Sequence, residues 1–204
     1  MDTRTAAQTQ ATRATMTPPA SPTLRWPPTP DDEARLGLVT LVHRVEIDVL
    51  PEIAWRYACN ASRWVEWHPA TRQVDPLPDR PLGVGEAVVE HITAGGKKFA
   101  ARWQVLAAEP GRLWVIATDT PGGIARIVYR LAPLGTAACR FERTLSARTR
   151  SPLTHWLDRW TLPRHLGPQS TEALAALKHR LEAANAPPEV VPRGVVRWRA
   201  EGKR

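Results

Sequence analysis

The chain has few of the residues that usually carry chemistry in small proteins. Its 204 residues include two cysteines, two methionines, two phenylalanines and two tyrosines. Cys59 and Cys139 stand far apart, with no neighbour at redox or metal spacing, so a CxxC centre is excluded. A reducing cytoplasm is the expected compartment. The six histidines (His43, His68, His91, His155, His165 and His179) contain no HxxxH pair. A helical zinc motif is therefore absent, and neither a metal nor any other cofactor is expected. No GxSxG elbow occurs, and no glycine-rich loop leads from a strand into a helix. No stretch reaches the roughly 18 consecutive apolar residues of a membrane span.

What is abundant is arginine, proline and tryptophan. Only four of the 28 basic residues are lysine, and there are 20 prolines and nine tryptophans. This bias fits a GC-rich bacterial coding sequence. The net charge of +8 divides into 0 for residues 1–37, +5 for 38–184 and +3 for 185–204. Basic residues are thus spread along the chain. A nucleic-acid binder gathers them on one face, so nucleic acid is not an expected partner. Residues 1–37, with Pro18-Pro19, Pro22, Pro27-Pro28 and Pro30, form an expected disordered leader without the apolar run of a secretory signal. Residues 185–204 form an expected disordered tail; its arginines offer a weak contact for an anionic membrane surface. The oligomeric state is left open.

The organising stretch is Val39 to Pro69. Val39, Leu41, Val45, Ile47 and Val49 alternate with Thr40, Arg44, Glu46 and Asp48, the period of a half-buried strand. His43 falls on the apolar side. Pro51 and Glu52 then open a helix. Trp64 and Trp67, three apart, share one face of a second short helix that Pro69 ends.

A strand, a Pro-Glu-x-x-Trp helix, a Trp-x-x-Trp-x-Pro segment and a strand-rich middle together resemble the START-like helix-grip superfamily. The likeness covers about Leu38 to Ala184. Within that superfamily it is strongest to the SRPBCC proteins of polyketide cyclase/dehydrase type. The resemblance implies an α+β fold: a curved antiparallel sheet of six to seven strands around a long C-terminal helix, with a ligand cavity between them. It also implies a hydrophobic small-molecule partner such as an aromatic polyketide, a lipid or an isoprenoid quinone. The function expected is that of a cyclase/dehydratase-like protein, a non-enzymatic carrier, or an interaction module of the same fold. Any catalysis would be cofactor-independent.

The middle of the chain supports this. Short strands at Glu86–Thr93, Lys98–Ala107, Leu113–Thr118, Ile124–Ala132 and Ala138–Arg148 are separated by Gly/Pro turns, as in an antiparallel meander. Leu113–Thr118 is apolar on both faces, which predicts a central strand covered twice. Ser151-Pro152 predicts a helix start, with Leu153, Trp156, Leu157 and Trp160 at helical spacing. Gly167-Pro168 predicts a kink or split, and Ser170 the start of a cleaner helix lined by Ala173, Leu174, Leu177 and Leu181.

Two residues are candidates for catalysis. His43 is either a general base facing the cavity or a core histidine satisfied by a backbone carbonyl. Arg143, beside Cys139, Phe141 and Leu145, needs a partner. It either anchors a ligand carboxylate or phenolate, pairs with Glu90, or is turned outward by a bulge. The ligand-binding candidates are Trp103, Tyr129, Phe99, Trp67, Phe141 and Trp156.

Overall fold

The computed structural model describes residues 37–94, 97–151 and 155–186. The leader, apart from Gly37, and all but the first two residues of the tail lie outside the described residues. So do the Gly95-Gly96 turn and Pro152 with Leu153. The elements are β1 (Val39–Ile47), α1 (Pro51–Ala58), a 3-10 turn (Ala61–Arg63), α2 (Trp64–Trp67), β2 (Thr71–Val74), β3 (Ala87–Ala94), β4 (Lys97–Glu109), β5 (Leu113–Thr120), β6 (Gly123–Leu134), β7 (Ala138–Thr149), a second 3-10 turn (His155–Leu157) and α3 (Asp158–Asn185).

The seven strands form one antiparallel sheet in the order β1-β7-β6-β5-β4-β3-β2. The meander runs from β2 to β7, and β1 adds to it as the far edge beside β7, with His43 opposite Arg143 and Ile47 opposite Cys139. This is the helix-grip fold, with two short helices after the first strand and one long helix at the end. Period-2 alternation sorts the side chains. Leu41, His43, Val45 and Ile47 share a face with Leu145, Arg143, Phe141 and Cys139 on the neighbouring strand. A bulge at Leu106 shifts the register between Val105/Ile116 and Ala107/Val115. It sends Ala107 to the opposite face and bends β4, which helps the sheet curl.

α1 follows its sequence signals, with Pro51 in the first turn, Glu52 beside it, and Ala54, Trp55 and Ala58 buried. The β4–β5 turn meets this helix. Gly111 there has φ +71, a conformation that favours glycine, and a Cβ would sit 3.0 Å from the Glu52 carboxylate, which would have to shift.

Two expectations are corrected. Of the kink or split expected near Gly167-Pro168, the split is absent: α3 is one helix from Asp158 to Asn185, with Pro163 and Pro168 inside it. The prolines leave the carbonyls of Arg159 and Arg164 without helical donors, but both residues are exposed, so water can satisfy them. Ser151 is not its N-cap, since the helix starts seven residues later at Leu157–Asp158. Buried Asp158 instead accepts from the Thr149 N–H at 2.7 Å and the Thr149 hydroxyl at 2.9 Å, pinning the helix to the end of β7. β5 is central, as expected, and both its faces are buried, Trp114 and Ile116 in the main core and Val115 on the opposite side. Val115 joins only a small patch with Ala107, Val128, Leu106 and Leu113 on that side.

The main core lies on the other face, under α3. Ala173, Leu174, Leu177 and Leu181 are buried there, as their spacing predicts. Lys178 donates to the Glu46 carbonyl at 2.7 Å, and Glu182 accepts the Asp48 N–H at 2.9 Å, so this half of the helix is clamped to the end of β1. Truncating Leu177 to Ala should lower the unfolding free energy by about 2–5 kcal/mol. Trp160→Ala, on the exposed face, should change it by roughly 0.5 kcal/mol or less. Denaturant titration of both variants checks the contrast.

Candidate functional site

The two halves of α3 differ in what they bring to the sheet. The C-terminal half supplies leucines and fills the space beneath it. The N-terminal half supplies Thr161, Leu162, His165, Leu166, Gln169 and Ser170, and there the space stays open. The result is a cavity of about 960 Å³ between helix and sheet. Its exposed lining residues, among them Lys98, Phe99, Pro121, Gly122 and His165, mark the mouth. The walls are mostly apolar: Trp64, Trp67, Ala101, Trp103, Ile116, Ile127, Tyr129 and Leu145.

Aromatic packing holds the inner wall rigid. Tyr129 stacks on Trp114 at 5.6 Å between ring centroids and meets Phe141 at 5.0 Å and Trp67 at 6.3 Å. The indole N–H groups of Trp55, Trp64 and Trp114 reach the carbonyls of Leu113, Ala58 and Leu82. Burial pushes the Tyr129 phenol up to about 12, with Arg143 opposing the shift, so it stays protonated at neutral pH.

At the inner end a polar chain crosses the cavity floor. Arg143 Nη1 donates to Ser170 Oγ at 2.6 Å, and Nη2 lies 3.3 Å from His68 Nε2. His68 Nδ1 is 3.1 Å from Thr71 Oγ1. The Thr71 hydroxyl donates to Glu90 Oε1, and Trp103 Nε1 donates to Glu90 Oε2 at 2.7 Å. One assignment satisfies every link: Arg143 donates to a neutral His68 whose proton is on Nδ1, His68 donates to Thr71, and Thr71 donates to Glu90. Burial, and then Arg143, depress the imidazole to about 3, in keeping with that tautomer. Burial raises the Glu90 carboxyl, while its two donors and Arg143 pull the other way.

The sequence-derived candidates fall into two groups. Trp67, Phe99, Trp103, Tyr129 and Arg143 all line the cavity. His43, Phe141 and Trp156 do not. His43 faces the helix side of β1 opposite Arg143, and its pKa is lowered by burial and by that neighbour. Phe141 is fully buried behind Tyr129. Trp156 is 59 % exposed, in the 3-10 turn that precedes α3 rather than within the helix expected there. The sequence reading missed His68 and Ser170. His68 sits inside the tryptophan cluster, where adjacency to Trp67 was the only local signal. Ser170, expected to cap a helix, is buried inside one and accepts from Arg143. Arg143 thus faces inward, held by Ser170 and His68 and influencing Glu90 only across the chain between them.

A family model described as polyketide cyclase / dehydrase and lipid transport matches residues 39–182. The chain belongs to this family. Solved structures share its fold at low identity. The ZhuI aromatase/cyclase from Streptomyces sp. R1128 is 17 % identical with a TM-score of 0.62, covering 73 % of this chain and 97 % of that one. A START superfamily protein from Mycobacterium smegmatis is 15 % identical at 0.57, covering 71 % and 98 %. A point mutant of the Thalictrum flavum norcoclaurine synthase is 14 % identical at 0.53, covering 72 % and 97 %. No curated protein matches the chain. Among the described residues, no helix is long and apolar enough to cross a membrane.

The neutral His68 has a consequence for stability. Its folded pKa lies near 3 against 6.5 when unfolded, so only the unfolded chain takes up this proton between those values. Its contribution is complete above about pH 6.5 and is lost as the pH falls toward 3. Denaturation at pH 7 and pH 5 should show wild type losing more stability on acidification than His68→Gln. Equal losses would place the histidine in open solvent.

Proposed function

We propose that the protein binds a hydrophobic small molecule in the cavity between the sheet and the N-terminal half of α3. The observation that carries this is the cavity itself. Its 960 Å³ stands at the upper end of the range, about 300–1,000 Å³, of small-molecule sites, and Arg143, His68, Glu90 and Ser170 give it a hydrogen-bonded polar floor. An apolar body can lie against Trp103, Ile116 and Ile127 while its polar end meets Arg143.

Membership of the family favours cyclase- or dehydratase-like chemistry on an aromatic polyketide. In an aldol cyclisation, a proton leaves the carbon between two carbonyls and an enolate forms. Its carbon adds to a second carbonyl, the new alkoxide takes up a proton, and loss of water completes the ring. Arg143 is the cation placed to hold the enolate oxygen. Glu90 is the proton acceptor: each carboxylate oxygen accepts one bond and keeps a free lone pair, and burial raises its basicity. His43 lies outside the lining, across the strand pair from Arg143. Native mass spectrometry of purified protein, followed by denaturing extraction, should recover an apolar molecule. An empty protein that also fails to bind an apolar fluorescent dye would overturn the binding reading.

One observation favours a second reading, a lipid or quinone carrier without turnover. Trp156 and Trp160 are 59 % and 58 % exposed beside the mouth, and Arg159 lies 5.5 Å from the Trp160 ring. Exposed indoles flanked by cations suit an anionic membrane interface, and the basic tail adds charge. Flotation with phosphatidylglycerol vesicles should then fall for Trp156→Ala/Trp160→Ala and for a chain ending at residue 184. If the wild-type chain does not float, the carrier reading fails.

A further inference from the structure

Five tryptophans are buried in the described core: Trp55, Trp64, Trp67, Trp103 and Trp114. Four of them hand their indole N–H to a carbonyl or carboxylate of the protein. Trp67 does not. Its Nε1 is buried and has no hydrogen-bond partner. The same is true of Arg143 Nε, although both other nitrogens of that guanidinium are engaged. Both residues are 2–3 % exposed, and both line the cavity. They are also neighbours through a short chain of contacts: Trp67 precedes His68, which meets Arg143, and the Trp67 ring packs on Tyr129, the cross-strand partner of Arg143. Buried donors without acceptors are rare, and each one needs an explanation. Here two belong to residues that line one cavity, and the Thr118 hydroxyl is a third unpartnered group in its wall.

The charges around them indicate what would complete the pair. The cavity is lined by the cations Lys98, Arg143 and Arg148 and by one carboxylate, Glu90, whose two oxygens already accept from Thr71 and Trp103. The groups facing Arg143 from the surrounding elements are His43 on β1, His68 after α2, Glu90 on β3, Tyr129 on β6 and Ser170 on α3. Nε has no hydrogen-bond partner among them, although the Tyr129 phenol lies near enough for the guanidinium to act on it as a donor. A cationic or purely hydrocarbon ligand end would leave both donors unsatisfied.

We propose that Arg143 Nε–H and Trp67 Nε1–H form a two-donor seat for one oxygen of the ligand, and that the ligand is an apolar acid carrying a carboxylate, phenolate or enolate at its buried end. This rests on the cavity reading above and narrows it. It disfavours sterols, amines and uncharged hydrocarbons, and it assigns Trp67 a recognition role separate from its packing.

The test compares probes of one shape in the full-length protein by quenching of tryptophan fluorescence: 2-naphthoate, 2-naphthol, 2-acetonaphthone and 2-methylnaphthalene. Wild type should bind 2-naphthoate at least about tenfold more tightly than 2-methylnaphthalene, the scale of a charge-assisted hydrogen bond. A pH titration with 2-naphthol separates a phenolate from a phenol as the preferred species, and acetonaphthone reports a neutral carbonyl. Trp67→Phe keeps an aromatic ring but removes the donor and part of the wall, so naphthoate should lose several-fold more affinity than methylnaphthalene. Arg143→Gln should abolish the preference. Equal affinity of wild type for naphthoate and methylnaphthalene would overturn the seat while sustaining the cavity. Binding of neither probe would overturn both. Unchanged naphthoate affinity in Trp67→Phe would remove the indole from the seat.

Discussion

A guanidinium buried among aromatic rings is the constraint on which the rest of the site depends. Arg143 cannot shed its charge, so the fold has to supply hydrogen bonds where water has been removed. It does so from two elements far apart in sequence: Ser170 on the long helix and His68 at the end of α2. That requirement fixes the phase of α3 over the sheet, the tautomer of His68 and, through Thr71, the orientation of Glu90. The aromatic wall is the other half of the same arrangement. Trp114, Tyr129, Phe141 and Trp67 keep the space around the cation in one shape. A cavity can then persist beside a charge without collapsing onto it.

Much of the architecture was legible in the sequence because it depends on short-range periodicity. The alternation of Val39 to Val49, the Pro51 helix start, the Gly/Pro turns and the Ala173–Leu181 stripe each correspond to an element of the structure. So did the cavity wall where it lies on strands, since period 2 fixes the facing of Phe99, Trp103, Tyr129 and Arg143. The failures came where one residue's role depends on distant chain. Ser170 looked like a cap because serine, after Gly167-Pro168, suits a helix start. Only the approach of β7 turns it into an acceptor. His68 carried no periodic signal at all. Trp156 was misplaced because the helix begins at Asp158, set by its bonds to Thr149, which leaves the tryptophan in the 3-10 turn before it.

Belonging to the polyketide cyclase / dehydrase and lipid transport family fixes the scaffold, and the neighbours at 14–17 % identity share that scaffold alone. Within that scaffold this chain carries a polar chain from Arg143 to Glu90, with unpartnered donors on Arg143 and Trp67. In a cavity otherwise built from hydrocarbon and aromatic surface, a few polar atoms decide which molecule stays. Apolar burial sets how tightly a ligand is held, while the placement of donors sets which chemical end points inward.

The asymmetry of α3 extends beyond ligand space. Its C-terminal half buries four apolar side chains and is clamped to β1 by Lys178 and Glu182. Its N-terminal half borders an open cavity and lacks two backbone hydrogen bonds, at Pro163 and Pro168. Local opening free energy follows such differences in packing and bonding. Amide protons of residues 173–182 should therefore exchange as slowly as those of the central strands, while those of residues 159–169 exchange faster. One helix then serves two purposes: its C-terminal half packs the core, and its N-terminal half, tied down at Asp158 and Ser170, walls the cavity.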